Sequence, residues 1–463
     1  MFRNPLDKAA AGFIGALLLG IAIILVRGDQ VGVQIIRQAP ANQASGVSTR
    51  SQLAFTFSEP MPAAALQGHI EITPALSGTV RWNGSTAFFV PAQPLQSDTR
   101  YTVTIKAGAA SERGRPVLRD VHWSFTTGHA RVVYLSPATS IGNLYVSDVG
   151  PSAAARRITD EPRGVFDFAV SPDGRRIVYS AVRDDTGARD LWAIHPDGSG
   201  RERIVACDGQ VCQSPSFSAD GARIAFERRT LVKGTLGTTP GPARLWIYDF
   251  TSGSAAPLLS DSQALGNLPR WAPVGEKLSY YDPVAGAITV IDTVTGDRVQ
   301  MPSVLGDSGT WSPNGEQLIY PELKALDNGQ FDQLLRADLV TNVITAVMPL
   351  SSTNDSSVNW SPLGTLIAFT RQHYSAVGAA GGVMPFGPQV WVASPEGQSA
   401  HALTDDLGYG YGGLAWSPDG QWIVAVRNNL QTTDPKPEVW LLRWDGSQVA
   451  KLAEDATIPA WLP

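Results

Sequence analysis

The sequence predicts an all-β protein: a two-sheet sandwich, then a seven-bladed β-propeller (six blades is the alternative count), behind a single N-terminal transmembrane helix. Three observations carry that prediction. Short apolar runs alternate with polar residues between Gly- and Pro-rich turns, a Ser-Pro-Asp-Gly type of motif recurs at the interval of a four-stranded sheet, and one uncharged apolar run has membrane-spanning length.

A chain of 463 residues has room for two or three domains. Its hydrophobic fraction of 43% suits a globular protein, and its 45 Gly and 33 Pro are dispersed as punctuation between strands. The formal net charge is -6, and Lys and Arg form no cluster. That excludes a duplex nucleic-acid binder, which needs a basic face.

Residues 9–26 (AAAGFIGALLLGIAIILV) are uncharged and long enough to cross a bilayer core. Arg3 and Lys8 lie before them and Arg27 and Asp29 after, so the positive-inside bias places residues 1–8 in the cytoplasm and the bulk of the chain outside. A cleaved signal peptide is the alternative. Against it, the VRGDQVGVQ that follows has no small-x-small cleavage site, and no Cys stands there to accept a lipid. Ala11, Gly15, Ala16 and Gly20 have the spacing that lets helices pack closely, a pattern common by chance. The expected location is therefore the cell membrane, single-pass, with an extracytoplasmic body. In such an oxidising compartment Cys207 and Cys212, separated by Asp-Gly-Gln-Val, are disulfide candidates, with two free thiols as the alternative.

Between residues 31 and 128, QLAFTFSEPM, HIEITP, TVRWNG, TAFFVP, RYTVTIKAG and VHWSFTTG each read as a strand or strand end, enough for a two-sheet sandwich. Phe57-Ser58-Glu59-Pro60-Met61, Ile72-Thr73-Pro74, Gly78, Pro91, Pro94-Leu95, Tyr101-Thr102-Val103 and Trp123-Ser124-Phe125-Thr126-Thr127-Gly128 stand in the order found in bacterial Ig-like domains of the surface-layer type, which this segment resembles. The resemblance implies a spacer or adhesion module. Glu59, a lone carboxylate beside a proline turn, is read as structural.

Residues 131–463 are repetitive. A bulky residue and a Ser-Pro-Asp-Gly variant recur at Val170–Gly174, Phe217–Gly221, Trp271–Gly275, Trp311–Gly315, Trp360–Gly364 and Trp416–Gly420, each followed by an apolar strand such as RRIVYS or TLIAFT. Pro presets φ, Asp or Asn tolerates the turn and Gly supplies positive φ, so flanking strands can pair as a hairpin. The spacing is that of a four-stranded blade. Ile458-Pro459-Ala460-Trp461-Leu462-Pro463 repeats the start of the motif, while Arg131–Tyr134, Asn143–Asp148 and Arg156–Thr159 resemble the remaining strands of a blade. A seventh blade closed by the two ends of the array follows, and closure removes exposed sheet edges. This segment resembles the propellers of TolB and its relatives, and peptidases of the prolyl oligopeptidase type carry such propellers too. TolB itself has a different N-terminal domain and six blades.

The turn motifs lie on one face, so function is expected on the other, in the second-to-third strand connections Thr230–Ala243, Pro321–Phe331, Arg371–Pro388 and Asn428–Pro437. Candidate binding residues are His373, Tyr374, Met384 and Phe386, with Tyr409 and Tyr411 in the connection Asp405–Gly413. Exposed aromatics between glycines suit a protein or glycan partner, and caps on the blade tops are the alternative reading. No catalytic residue, metal ligand or cofactor is assigned. There is no Gly-x-Ser-x-Gly elbow, and Gly306-Asp307-Ser308-Gly309 has no accompanying His motif. The six His (69, 122, 129, 195, 373 and 401) lack paired metal-ligand spacing. The reading is a membrane-anchored binding or scaffold protein of the cell envelope. The alternative is an envelope hydrolase or lyase working in the propeller funnel.

Overall fold

The computed structural model describes residues 32–149, 154–234, 237–261, 263–377, 382–385, 387–406 and 408–463, and every regular element among them is a strand. The expected membrane span at 9–26 lies outside the described residues. Among those described, no helix is long and apolar enough to cross a membrane. The chain divides into two compact units, with the main boundary between Thr127 and Gly128.

The first unit has two four-stranded sheets. One orders Ile35–Ala39, Leu53–Phe57, Thr86–Pro91 and Gly78–Asn83; the other orders Ala44–Val47, Val121–Thr127, Arg100–Ile105 and Ile70–Thr73. Period-2 alternation chooses the inner faces: Leu53, Phe55 and Phe57 are buried from one sheet, Tyr101, Val103 and Ile105 from the other. Between them the rings of Phe55 and Trp123 meet edge to face at 5.4 Å. Glu59 accepts a 2.8 Å bond from Arg115 Nη1, which ties it into the sandwich.

The second unit is a β-propeller. Its sheets are labelled A to G by their innermost strands: Thr457–Leu462 in A, Val165–Val170 in B, Val211–Phe217 in C, Asn267–Trp271 in D, Thr310–Trp311 in E, Thr353–Trp360 in F and Tyr409–Trp416 in G. In B to G the strands leave the axis in chain order. Sheet A combines Thr457–Leu462 with Arg131–Ser136, Asn143–Asp148 and Arg156–Arg157. A single parallel bridge, Arg189 to Val211, links B to C.

Each apolar core cluster is shared by two consecutive sheets. Leu144 and Ile177 join A to B, and Leu191 and Phe226 join B to C. Leu245 and Tyr280 join C to D, and Ile288 and Leu318 join D to E. Leu334 and Phe369 join E to F, and Val392 and Ile423 join F to G. Val439 with Val132 and Trp461 then joins G back to A, so the series closes on itself. Burying one such side chain is worth about 1.5–3 kcal/mol.

The motif residues each have a task. Ser218 Oγ donates to Asp220 Oδ1 at 2.5 Å and accepts the Arg223 amide at 3.0 Å, while Asp220 Oδ1 takes the Ala222 amide at 3.0 Å. Ser171 and Asp173, Ser312 and Asn314, and Ser417 and Asp419 repeat the hydroxyl-to-side-chain bond at 2.6–2.7 Å. Gly174 takes φ of +67°, and a Cβ there would meet the Pro463 carbonyl oxygen at 2.4 Å, so the turn of B fits only glycine. In E, G and A the repeat's tryptophan clamps the sheet before it. Trp311 Nε1 donates to the Arg270 carbonyl at 3.1 Å, Trp416 Nε1 to that of Asn359 at 3.1 Å and Trp461 Nε1 to that of Ala415 at 2.9 Å. Each acceptor immediately precedes the bulky residue of the preceding sheet.

Closure is antiparallel: Leu462 opposes Arg131, Trp461 opposes Val132 and Ala460 opposes Val133. Asp455 secures it, Oδ1 accepting the amides of Ala138 and Thr139 at 3.0 and 2.9 Å and Oδ2 the Thr139 hydroxyl at 2.9 Å. Cys207 and Cys212 form a disulfide with Cα atoms 6.2 Å apart, buried between B and C. The chain reverses between them at Asp208 and Gly209, both at positive φ.

Candidate functional site

Opposite the motif turns lie the second-to-third strand connections. The sequence reads these as loops, and three of them are largely paired hairpins. In C the pairing runs out to Gly234 and Gly237, in E to Leu326 and Gly329, and in F a side hairpin pairs Tyr374 with Pro385 and Val377 with Gly382. The arm of C was illegible as a pair of strands because it has no buried face. Most of Arg229–Gly234 is exposed, so the alternation that marks a half-buried strand is missing.

The expected binding residues fall into separate settings. His373 is exposed on the second strand of F, its ring 6.0 Å from that of Trp391. Tyr374 and Met384 lie on the two strands of the side hairpin, opposite Pro385 and Ser375 respectively. Phe386 lies outside the described residues. Tyr409 and Tyr411 sit on the innermost strand of G rather than in a connection, opposite Asn429 and Arg427. Tyr411 is buried, and that burial pushes its hydroxyl above the usual tyrosine value against the pull of Arg427. Tyr409 stacks on the Arg427 guanidinium at 3.8 Å, Trp440 covers its other contact at 3.9 Å, and Glu438 pairs with it at 3.0 Å. The aromatic rim expected at Tyr411 is thus an interior brace, because a half-buried arginine needs partners. In F, Arg371 makes two 2.7 Å bonds to Asp355 and lies 5.0 Å from the Trp391 ring.

A second constellation surrounds the mouth of the ring's channel. Three residues before the bulky residue, the innermost strand bulges: Ser214, Leu268, Ser357, Gly413 and Ile458 all take φ between 49° and 59°. The pairing with the second strand shifts register at each of these places. Two freed amides are met by carboxylates of the preceding sheet. Asp167 Oδ2 accepts the Ser214 amide at 2.6 Å, and Glu227 Oε1 that of Leu268 at 2.7 Å. Glu227 is fully buried and also binds Gln213 Nε2 at 3.0 Å and Arg229 Nη2 at 2.7 Å. Gln213 Oε1 in turn accepts Arg189 Nη1 at 2.5 Å. Asp167 Oδ1 and Arg189 Nε are buried without a hydrogen-bond partner. Burial pushes the Asp167 carboxyl up to about 7, with the Ser214 amide and Arg189 opposing it and Glu227 adding to it. A carboxyl so poised can donate or accept a proton near neutrality.

Sequence reasoning missed Asp167, Glu227 and Arg189. A signal was present: Ser214, Leu268 and Ile458 are each followed by proline, which inside a sheet marks an edge or a bulge. Ser308 of Gly306-Asp307-Ser308-Gly309 is buried in a turn where Asp307 Oδ1 accepts the Gly309 amide at 2.7 Å, a structural setting. Among the described residues, no group of three His, Cys, Asp or Glu could hold a metal ion.

Residues 29–127 match the family described as bacterial Ig-like domain. Dipeptidyl-peptidase 5 of Porphyromonas gingivalis is 38% identical over 66 residues, 13% of this chain and 10% of that enzyme. The uncharacterized peptidase YuxL of Bacillus subtilis is 23% identical over 226 residues, 48% of this chain and 30% of that protein. The chain therefore spans a third or less of the length of these relatives. Among solved structures, a putative TolB from Agrobacterium tumefaciens is similar at a TM-score of 0.38 and 18% identity, covering 70% of this chain and 88% of that one. Oligogalacturonate lyase from Vibrio parahaemolyticus is similar at 0.47 and 14% identity, covering 64% and 82%. The sheet order and the closed series of cores identify the fold independently of these likenesses. Residues 29–127 are a bacterial Ig-like domain, and the unit that follows is a β-propeller.

Proposed function

We propose that this protein is a membrane-anchored, extracytoplasmic binding or scaffold protein that presents the connection face of a seven-bladed propeller to an envelope protein or glycan. Sheets A to G are read as the seven blades, with A shared between the two ends of the array. The observation that supports binding is the set of paired arms in C, E and F, all rising from second-to-third strand connections and hence from one face. An arm whose backbone is already hydrogen-bonded gives up little conformational freedom when a partner docks. The face also carries its own support, since Arg371 and Arg427 are held by Asp355 and Glu438.

The test is capture of partners from envelope membranes by the full chain and by a variant in which residues 375–384 are replaced with a short turn that spares Arg371. Loss of the captured partners in the variant is expected. An identical set of partners would overturn the assignment of the arm in F.

A second reading, a hydrolase or lyase acting in the channel, has one observation in its favour: Asp167, pushed up to about 7 with one oxygen unpartnered. It requires turnover of an envelope polymer that disappears in Asp167→Asn.

A further inference from the structure

A cavity of about 470 Å³ opens in the wall of the channel, between the innermost strands of C, D and E. That volume lies in the range of small-ligand sites. Its polar lining is Arg270 with the hydroxyl residues Ser214, Ser216 and Thr310, and no carboxylate lines it. In a chain of formal net charge -6, that makes the cavity a local exception.

The fold does not call for an arginine here. Position 270 immediately precedes the bulky residue of its repeat. The equivalent residues are Ala169, Ser216, Thr310, Asn359, Ala415 and Ala460, all small or short and none charged. Arg270 is exposed, and among the described residues no carboxylate forms an ion pair with it. The nearby arginines differ: Arg223 pairs with Glu276, and Arg229 with Glu227. The backbone that carries Arg270 is nevertheless fixed, because its carbonyl accepts the Trp311 indole N–H at 3.1 Å and the amide of its neighbour Trp271 donates to Ser216 Oγ at 3.1 Å. A guanidinium left free on a pinned strand, with hydroxyl donors beside it, is arranged for a planar anion.

We propose that this cavity binds a small ligand through a carboxylate group, with Arg270 as the charged contact and Ser214 and Thr310 as hydroxyl donors. The chemistry is that of a uronic acid or of a peptide's terminal carboxylate. The site uses none of the arm residues, so it stands or falls separately from the partner-binding face.

Calorimetric titration of the full chain with glucuronate and with N-acetyl-dialanine distinguishes the two sources, and glucose and the dialanine amide serve as uncharged counterparts. Binding of one acid is expected, weakened by about tenfold or more in its uncharged counterpart and in Arg270→Ala, as for loss of a hydrogen bond to a charged group. Arg270→Lys should restore part of the affinity, and raised salt should weaken binding. Thr310→Val supplies a second variant, expected to weaken binding without removing the charge. Absence of binding by both acids overturns the proposal, as does equal binding of the uncharged counterparts or unchanged affinity in Arg270→Ala. The variant lacking residues 375–384 should bind the acid as the full chain does.

Discussion

The two faces of the propeller solve the same problem differently. On the turn face, the motif's serine and its Asp or Asn bond within their own hairpin, by bonds that recur from Ser171 to Ser417 with little change in length. On the connection face, the polar groups reach across to the next sheet, and each crossing uses different residues: Asp167 to Ser214, Glu227 to Leu268, Asn354 to Asp332. Repetition therefore marks what the fold requires of every sheet. Departure from it marks what this chain has specialised.

Opening the ring perturbs both faces most severely. Deleting residues 456–463 removes Ala456, Trp461 and Leu462 from two inter-sheet cores and unpairs the inner edge of the strand Arg131–Ser136. At about 1.5–3 kcal/mol for each large side chain, Trp461 and Leu462 alone account for about 3–6 kcal/mol, against about 5–15 kcal/mol for a typical domain. Calorimetry should show the propeller transition abolished or greatly lowered; an unchanged transition would mean that both faces stand without closure.

A smaller change separates the two faces. Glu227→Gln leaves Arg229 without its charge partner in a buried network and should cost about 2–3 kcal/mol in urea denaturation. Ser218→Ala and Ser312→Ala should each cost about 1 kcal/mol, and by similar amounts, since their bonds are copies. Unequal costs for the two serines would undo the claim that the turn face is uniform.

The finest distinction is one of pH. The folded Asp167 carboxyl lies above its ordinary value, so the folded state keeps a proton that the unfolded chain releases. Its contribution is present at pH below the unfolded value, near 4, and is lost as pH rises through about 7. Asp167→Asn should therefore gain stability relative to the parent between about pH 5 and pH 8, measured as a difference in melting temperature. A constant difference would place Asp167 in a wetter setting than the channel mouth.

What was legible in the sequence divides along the same line. The turns, the alternating strands and the matching ends at Ile458–Pro463 and Arg131–Tyr134 were visible because repetition writes one physical requirement many times. The role of Trp311 as an inter-sheet clamp was visible only as bulk, since its acceptor, the Arg270 carbonyl, is a backbone atom and leaves no mark of its own in the sequence. Asp167 and Glu227 were hidden for a related reason. Each is defined by a bulge in a neighbouring sheet about forty residues away, and nothing at its own position announces it. Tyr411 stood out beside glycines as a partner contact and proved to be the support of Arg427, a pairing that spans two strands.

The clasp at Asp455 bears on how the molecule is made. Ala138, which it holds, precedes it by 317 residues. A nascent chain synthesised at about 5–20 residues per second must keep the outer strands of sheet A waiting for tens of seconds before their inner strand exists. Throughout that interval the edge of Arg131–Ser136 is open to any other strand, including the same segment of a neighbouring nascent chain. Sheets B to G can assemble in order of synthesis, yet the ring latches only when its last strand arrives. Assembly of this protein is thus most exposed to mispairing and proteolysis at its beginning and is rescued only at its end.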